Sequence, residues 1–576
     1  MIEKIVASKF WWLILLVFLV TVNFLGAAFH ARIDLTKEKR YTLSKVTKDL
    51  LKNLDDEVQI DVFLKGEFPA GFRKLANTTE EFLRLMKDRN GAEIQYRYIS
   101  PQDEMTGTNK SYGDSLVSLG AIPINLTVQK KAGESSNIIF PVALMSYKGN
   151  QSLVNLYTGA NGRISQDEIN SAEAMMEYQF AKTLDGLMNT EKPHVAYSVG
   201  NGEPTDAHTY GIQAALSKDY KLGIFDLNKH SQISTDANDP TRIDVFISVK
   251  PTIQFTEEEK LKLDQFVMRG GKVLLFIDNL IAEQDSLRFD KETIAFDRNL
   301  NLTDLLFKYG LRINTDLVMD LQCDFMPFVV GGNADNPQFE FLKWNYYPLF
   351  ESKGNHTINK NTGLIAGRFT NSIDTIAAAG IKKTILLSSS ANSRTISTPA
   401  LISINENKNV PEDIKFNKKE IPVAMLLEGK FSSLFRNRMS KSLLDTLAAA
   451  GVPYMDRGEA DSKIIVVADG DIVLNDMSPK EGPLPMGMNF FTLGSQYEYQ
   501  FANRDFLLNS LEYLVNKPGI IETRNKDIVL RLLDAQKVKA QKSTWQIINI
   551  ALPVLLIILF GWVYQQLRKQ RYKGSS

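Results

Sequence analysis

Residues 244–278 read DVFISVKPTIQFTEEEKLKLDQFVMRGGKVLLFID, and the alternation within this stretch is the main guide to the fold. Two runs, Asp244–Val249 and Lys272–Ile277, are mostly apolar and have the length of strands. Between them Thr256 and Glu259 have the spacing of a capping box, which predicts an amphipathic helix that ends at Arg269 before two glycines. Apolar strands that alternate with helices predict an α/β fold with a doubly wound parallel sheet covered on both faces.

The same alternation recurs on both sides of this stretch. It predicts strands at Val195–Val199, Ile421–Leu427 and Ile464–Ala468, and a helix from Asn503 to Val515. We therefore expect one α/β domain over residues 191–520. Within it, residues 320–415 are rich in asparagine and lack a clear period, which predicts an irregular insertion.

Residues 30–190 predict a smaller α/β region. A helix capped by Ser44, a strand at Val58–Leu64, a helix opened by the capping box of Thr78 and Glu81, and a strand at Ile94–Ile99 suggest a thioredoxin-like unit. The loop after its first strand has no CxxC, so thioredoxin redox chemistry is excluded. A β extension over residues 115–158 and a bridging helix, residues 165–188, complete the region.

Two apolar stretches bracket these domains. Residues 10–29 and 545–564 carry no charge, and each is long enough to span a bilayer as a helix. The first run exceeds the apolar core of a typical signal peptide, so we expect an anchor and not a cleaved leader. Residues 521–544 before the second stretch predict an amphipathic juxtamembrane helix.

The charges next to these stretches predict the topology. Four basic residues in the tail 565–576 follow the second span, which favours a cytoplasmic C-terminus. The first span is ambiguous, because basic residues occur both before and after it. With two spans, residues 1–9 would also be cytoplasmic. The chain is therefore predicted to cross a membrane twice, with residues 30–544 outside the cytoplasm; in a bacterium these would be the inner membrane and the periplasm.

Composition excludes several function classes. Lys+Arg and Asp+Glu are 67 each, so no net field favours nucleic acid. A single cysteine, Cys323, excludes an intrachain disulfide and a Cys-cluster metal site. No phosphate-binding GxxxxGK[ST] motif occurs, so this chain is not expected to hydrolyse ATP through a P-loop. We predict no cofactor and no metal.

Polar residues at strand ends are candidates for ligand binding, because open α/β sheets bind ligands at the carboxyl ends of their strands. The candidates are Gly200, Asn201, Gly202, Glu203, Asp278 and Asp469. The glycines and asparagine could equally form a tight turn. The aspartates could serve acid–base or metal chemistry, or they could cap helices and solvate loops.

No catalytic constellation is recognisable. Cys323 lacks the glycines of a nucleophile elbow, and the five histidines are scattered without metal-ligand spacing. In the apolar stretches Asn23 and Asn549 are polar residues that could pack against partner helices or face headgroups.

Several segments resemble the gliding-motility-associated GldG family in the family's order. They are Arg32–Ser44 (RIDLTKEKRYTLS), Lys48–Leu64, Ile169–Ala181 (INSAEAMMEYQFA), Phe255–Asp278, Asn503–Leu514 (NRDFLLNSLEYL) and Leu530–Lys539. The resemblance implies a thioredoxin-like region, an amidotransferase-like α/β domain and no catalytic residues.

The resemblance also implies a function. The chain would be a non-catalytic accessory subunit of an ABC transporter, working with a multi-span permease and a separate ATPase in the gliding of Bacteroidetes-type bacteria. Two alternatives stay open. One is a periplasmic scaffold that binds envelope or secretion components, and the other is a periplasmic hydrolase.

Overall fold

The computed structural model describes most of the chain. The described residues are 11–28, 42–66, 68–90, 93–105, 110–130, 133–157, 166–189, 191–284, 287, 292–333, 336–352, 354, 356–360, 362–404, 413–449, 453–515, 519–525 and 535–573. Two compact units, residues 1–526 and 527–576, are distinguished. Residues 1–9, the juxtamembrane run 29–41, the linker 526–534 and residues 574–576 lie outside the described part.

The longer helices are α1 (Trp11–Ala28), α2 (Lys45–Lys52), α3 (Ala70–Asn90), α4 (Tyr112–Ser118), α5 (Gln166–Met188), α6 (Tyr210–Ser217), α7 (Glu257–Met268), α8 (Thr303–Tyr309), α9 (Lys441–Ala449), α10 (Asn503–Val515) and α11 (Ala535–Lys573).

The strands are β1 (Val58–Val62), β2 (Ile94–Tyr98), β3 (Ile124–Lys130), β4 (Gly133–Ile139), β5 (Val142–Tyr147), β6 (Asn150–Asn155), β7 (His194–Val199), β8 (Lys221–Asp226), β9 (Val245–Val249), β10 (Lys272–Phe276), β11 (Leu280–Ile281), β12 (Glu292–Asp297), β13 (Leu311–Ile313), β14 (Asp316–Asp320), β15 (Cys323–Asn333), β16 (Asn336–Ser352), β17 (Ile365–Ala366), β18 (Ile373–Thr375), β19 (Ile381–Ser388), β20 (Ser393–Ser397), β21 (Ala400–Ser403), β22 (Pro422–Gly429), β23 (Ser462–Val467), β24 (Met477–Ser478) and β25 (Gly482–Pro483).

A parallel core forms the middle of the largest sheet. Strands β8, β7, β9, β10 and β23 lie side by side in that order, and all four pairings are parallel. The chain begins in β7, moves to β8 on one side and then continues on the other side, so the strand order reverses between β7 and β9. In open α/β sheets such a reversal opens a crevice outside the carboxyl ends of the strands.

The prediction of a wholly parallel sheet is wrong at one side. Strand β22 is antiparallel to β23, β19 is antiparallel to β22, and the long β15–β16 hairpin extends the sheet further. The apolar run of β22 predicted its burial, and burial on two faces does not fix strand direction. Antiparallel strands commonly extend an otherwise parallel sheet.

Helices cover the parallel core on both faces. On one face α6 and α10 pack over Val195, Ile247 and Leu274, and on the other α7 and α8 pack over Phe246 and Val273. The capping box of α7 forms as predicted. The Thr256 hydroxyl accepts from Glu259 N at 3.2 Å and the Glu259 carboxylate accepts from Thr256 N at 2.7 Å.

Residues 320–415 are not irregular, contrary to the prediction. This range holds β15 to β21, and its strand β19 belongs to the main sheet. A separate core lies under the hairpin, where Trp344, Tyr346 and Phe369 pack together. The period was hidden because the exposed and bulged parts of the hairpin interrupt the alternation, with register shifts at Cys323–Phe325 and Val329–Gly331.

The N-terminal region has a four-stranded sheet in the order β2, β1, β5, β6. Strands β1 and β2 are parallel with α3 between them, β5 and β6 form an antiparallel hairpin beside β1, and α5 follows. The predicted helix start at Thr78 is wrong, because α3 already begins at Ala70. Within it the Thr79 hydroxyl donates to the Leu75 carbonyl at 2.8 Å, which satisfies a polar side chain inside the helix.

Helix α5 joins this region to the main domain through the half-buried Lys182 and the buried Glu512 and Arg524. Lys182 Nζ lies 3.1 Å from Glu512 Oε2 on α10, and the Tyr178 hydroxyl donates to the same carboxylate. The Arg524 guanidinium lies 5.1 Å from the Tyr178 ring and donates to the Lys360 carbonyl at 3.2 Å. Burial lowers the pKa of Lys182, but Glu512 and neighbouring groups raise it well above its usual value overall.

Residues 11–28 of the first predicted membrane segment and all of the second are helical. Among the described residues one helix, Gln541–Lys569 within α11, is long and apolar enough to cross a membrane. The first segment forms α1, and the two-span topology stays a prediction. The predicted separate amphipathic helix at 521–544 is wrong in its bounds. Residues 520–525 form a 3-10 helix, and from Ala535 a single helix runs through the apolar stretch.

Candidate functional site

A charged cluster lies at the carboxyl ends of three neighbouring parallel strands. Lys250 follows β9, Asp278 follows β10, and Asp469 and Asp471 follow β23. Lys250 Nζ lies 2.7 Å from Asp471 Oδ1, 3.1 Å from Asp278 Oδ2 and 3.0 Å from Glu283 Oε2. Because parallel strands end at one edge, residues far apart in the chain meet here around one ammonium group.

The backbone holds these groups closely. Lys250 has φ +47°, a left-handed conformation that is costly for a lysine. A Cβ at Gly470 would lie 2.7 Å from the Cβ of Lys250, so only glycine permits this approach. The amide of Gly470 donates to Asp278, and the amide of Asp471 donates to Asp469 Oδ1 at 2.9 Å.

Burial dominates the protonation of the cluster. It raises the pKa of Asp278 to about 6, although Lys250 lowers it. Burial, followed by repulsion from Asp278 and Asp471, raises the pKa of Asp469 well above its usual value. For Lys250 burial lowers the pKa, but the surrounding carboxylates raise it well above normal overall. The ammonium is therefore charged, and Asp469 binds its proton more tightly than an exposed aspartate does.

The three carboxylates Asp278, Asp469 and Asp471 lie within 4.8 Å of one another, a spacing that could hold a metal ion. The ammonium of Lys250 lies among them and bonds two of the three. It supplies the positive charge that a cation would otherwise bring. The arrangement is that of a buried ion-pair cluster.

A second network lies next to this cluster. Arg368 bonds both oxygens of Asp476, at 2.5 and 2.7 Å, and its guanidinium lies 5.3 Å from the ring of Tyr347. Its backbone amide donates to Asp469 Oδ2 at 2.7 Å, which joins the two networks. A cleft lined by Tyr347, Arg368, Asp324 and Asp471 has room for about one water molecule. The buried Tyr347 hydroxyl has no hydrogen-bond partner among the described atoms.

The predicted loop Gly200–Glu203 lies at the reversal point of the sheet, and most of its polar groups bond within the fold, whereas the buried Asn201 Oδ1 has no hydrogen-bond partner among the described atoms. Glu203 accepts from Asn201 N at 2.9 Å and from the Ser248 hydroxyl at 3.0 Å. The Asn201 carbonyl accepts from the amides of Thr252 and Ile253, both at 2.8 Å. These bonds join the loop after β7 to the segment after β9. The positive φ angles of Gly200 and Gly202 are those of a tight turn.

The sequence predicted some of the residues that lie at the carboxyl edge of the parallel core. Asp278 and Asp469 are brought together as expected of neighbouring strand ends, and Asn201 and Glu203 belong to the separate loop. Sequence reasoning did not identify Lys250, Arg368 or Asp476 as parts of the network. Lys250 directly follows the predicted strand, and that position was the available signal. The ligand-binding prediction for all six residues stays a prediction.

The other candidates also have defined places. Cys323 is 2% exposed and burial raises its pKa, so the thiol is poorly suited to act as a nucleophile. Asn23 in α1 and Asn549 in α11 are exposed within their helices. Their role in partner packing stays a prediction.

Comparison with known proteins places the chain in a transport class. A family described as an ABC-type uncharacterized transport system, auxiliary component, matches residues 192–510, more than half of the chain. The chain belongs to this family. Residues 37–146 match a domain of unknown function, DUF7088.

Two individual proteins are similar to it. An uncharacterized protein of Borreliella burgdorferi is 22% identical over 566 residues, covering 95% of each chain. Among solved structures, the mmIFT52 N-terminal domain has 13% identity and a TM-score of 0.29, covering 56% of this chain and 96% of that one.

Proposed function

We propose that the protein is a membrane-anchored, non-catalytic accessory subunit of an ABC transporter, which works with a separate multi-span permease and ATPase. The family match to an auxiliary transport component carries this proposal. Helix α11 supports it, because its apolar side chains, including Leu556 and Phe560, are exposed and need an apolar environment. The tight ion-pair cluster around Lys250 is consistent with a fold that binds and positions, without a reactive nucleophile.

For the topology we propose two spans, α1 and the apolar part of α11, with both termini cytoplasmic and the large domains in the periplasm. The four basic residues of the tail after residue 564 support this direction, and the five in residues 526–544 before the span count against it. A cysteine introduced at the exposed Asn238 should react with an impermeant thiol reagent in intact cells, whereas Cys323 should stay protected. Protection at 238 until lysis would place the domain in the cytoplasm.

Three finer assignments complete the proposal. The order β1–α3–β2 followed by a β5–β6 hairpin and α5 supports a thioredoxin-like N-terminal region. The parallel core with helices on both faces supports an amidotransferase-like main domain. The resemblance of Arg32–Ser44 and Ile169–Ala181 to the GldG family supports a role in gliding, and deletion should abolish surface spreading in a gliding host.

Copurification of the tagged full-length chain tests the function. The permease and ATPase should be retained in mild detergent. Replacing both apolar segments by unrelated spans of equal length should release them, whereas single changes at Asn23 or Asn549 should weaken retention only partly, since such a hydrogen bond contributes about 1 kcal/mol.

The alternatives give different results in the same experiment. Recovery of other envelope proteins without a permease would support a scaffold. Turnover of glycan or peptide by the purified chain would support a hydrolase. Either result would overturn the transporter proposal.

We also propose that any ligand binds at the carboxyl edge of the parallel core. The predicted residues Gly200, Asn201, Gly202, Glu203, Asp278 and Asp469 all lie along that edge. At the Lys250 cluster a ligand would have to replace existing ion pairs, whereas in the loop the unpartnered Asn201 Oδ1 could accept a hydrogen bond directly.

A further inference from the structure

Both chain ends that lead toward the apolar segments meet on one side of the folded part. Residues 29–44 separate α1 from α2, and residues 526–534 follow the 3-10 helix 520–525. Ile520 is buried in the same core as Leu50 and Leu51 of α2. A Cβ at Gly519 would lie only 3.5 Å from Val46. The entry and the exit of the folded part are therefore adjacent.

Both ends are firmly attached to helix α5. The amide of Ser44 and the hydroxyl of Thr47 each donate to Glu177 Oε1 at 2.7 Å. At the other end Arg524 is 4% exposed and stacks over Tyr178 of the same helix. This attachment fixes which side of α2 is buried and which is free.

The free side of α2 carries three lysines, Lys45, Lys48 and Lys52, here called the lysine face. Their spacing places them on one side of the helix, opposite the buried Thr47 and Leu50. In the part of the chain that the structure describes, none of the three forms an ion pair. The acidic run that follows begins with Asp55, which is already paired with Lys148 at 2.7 Å.

The segments that flank the folded part are also basic. Between residues 30 and 54 the bases are Arg32, Lys37, Lys39, Arg40, Lys45, Lys48 and Lys52, against Asp34, Glu38 and Asp49. Between residues 526 and 544 they are Lys526, Arg531, Lys537, Lys539 and Lys542, against Asp527 and Asp534. Basic charge is thus concentrated around both links to the apolar segments, although the whole chain is neutral.

We propose that the lysine face docks on the anionic headgroups of the bilayer and fixes this pole of the folded part against the membrane surface. The inference rests on the membrane anchoring proposed above. Residues 526–534 can extend no further than roughly 30 Å, so the pole stays within reach of the bilayer. Juxtamembrane basic clusters are attracted to anionic lipid, and the attraction decays within a Debye length.

Headgroup quenching in nanodiscs tests the docking with the full-length chain. A fluorophore is attached at Asp49→Cys, between the lysines, in a Cys323→Ala background. The control position is Ala237→Cys, exposed on the loop after β8. The discs contain phosphatidylcholine with or without phosphatidylglycerol, plus a headgroup spin-labelled lipid as the quencher.

The label at position 49 should be quenched strongly in anionic discs and the label at 237 weakly. Lys45→Glu with Lys48→Glu and Lys52→Glu should reduce quenching at 49 to the control level, as should 1 M salt, where the Debye length is about 3 Å. The charge-matched control, Lys221→Glu with Lys419→Glu and Lys430→Glu on exposed sites of the main domain, should leave it unchanged.

Two results would overturn the docking. If the label at position 49 is unquenched in a chain that enters the discs, the lysine face does not contact the bilayer. Equal quenching in neutral discs or in the triple lysine variant would mean that tethering alone causes proximity. A chain that fails to enter discs would instead contradict the membrane anchoring, so the two proposals fail separately. Circular dichroism of each variant verifies folding.

Discussion

Replacing Lys250 by methionine should destabilise the main domain strongly at neutral pH. The ammonium is bonded to Asp471, Asp278 and Glu283 at 2.7 to 3.1 Å and is almost completely buried. Methionine fills a similar volume without charge, so the carboxylates lose their counter-charge in a buried site. Removing one partner of a buried ion pair typically costs ~3–5 kcal/mol. For a domain of this size the melting temperature should fall by roughly 4–7 °C.

The loss of stability in Lys250→Met should depend on pH, in a direction that follows from the raised pKa of Asp278. Its folded pKa of about 6 lies above the usual unfolded value. The proton it binds therefore contributes stability that is fully present below about pH 4 and is lost as pH rises through about 6, by about 3 kcal/mol. Without Lys250 this pKa rises further. Lys250→Met should thus be much less destabilising at pH 5 than at pH 8.

Thermal unfolding of the detergent-solubilised full chain measures both effects. Trp344 is fully buried and is the tryptophan that lies between the two apolar segments, so its emission reports on the main domain. Lys229→Met is the control, because Lys229 is 78% exposed and its pair with Asp226 should contribute little. Equal losses at pH 5 and pH 8, or a shift no larger than that of the control, would refute the electrostatic account of this cluster.

Three further predictions concern other sites. Gly202→Ala should lower the free energy of unfolding, measured with denaturant, by ~2–3 kcal/mol, because Gly202 has φ +76° and the new methyl would meet the Thr252 hydroxyl. Gly223→Ala is the control, because the space around it is open, and it should lower that free energy by under ~1 kcal/mol. Similar losses in the two variants would contradict this reasoning. Cys323 should react with a thiol reagent only when the chain unfolds, and fast labelling of the native chain would contradict its burial. The variant Cys323→Ala should still assemble with the transporter. Arg524→Met should lower the free energy of unfolding by ~2 kcal/mol and should speed proteolysis after residue 515. Unchanged cleavage would show that other contacts hold this end of the folded part.

Local patterns located several helices and strands of the two α/β regions correctly. The apolar strands beginning at Val195 and Asp244 and the capping box of α7 depend on neighbouring residues, so periodicity and spacing were sufficient. The start of α3 was misplaced because Thr78 and Glu81 match a cap but lie inside a longer helix. The part of α3 before Thr78 is stabilised by the burial of Phe72 and Leu75, and a capping motif gives no information about such burial.

The candidate site was only partly predictable for a related reason. Asp278 and Asp469 were recognised because each directly follows an apolar strand, and parallel strands end at one edge. Lys250 and Arg368 became part of the network only because the sheet order brings their strands and loops together. The place of a residue in the sequence does not show which distant charged residue it will pair with in the fold.

The sequence by itself determined the α/β class, the apolar ends and the strand-end carboxylates, since these follow from composition and short-range spacing. Only the tertiary structure decided that β22 runs antiparallel, that residues 320–415 form strands, and that an ammonium neutralises the carboxylate cluster. The physical reason is that strand direction and charge pairing are set by contacts between residues such as Lys250 and Asp471, which are remote in the chain and become neighbours through packing of the whole sheet.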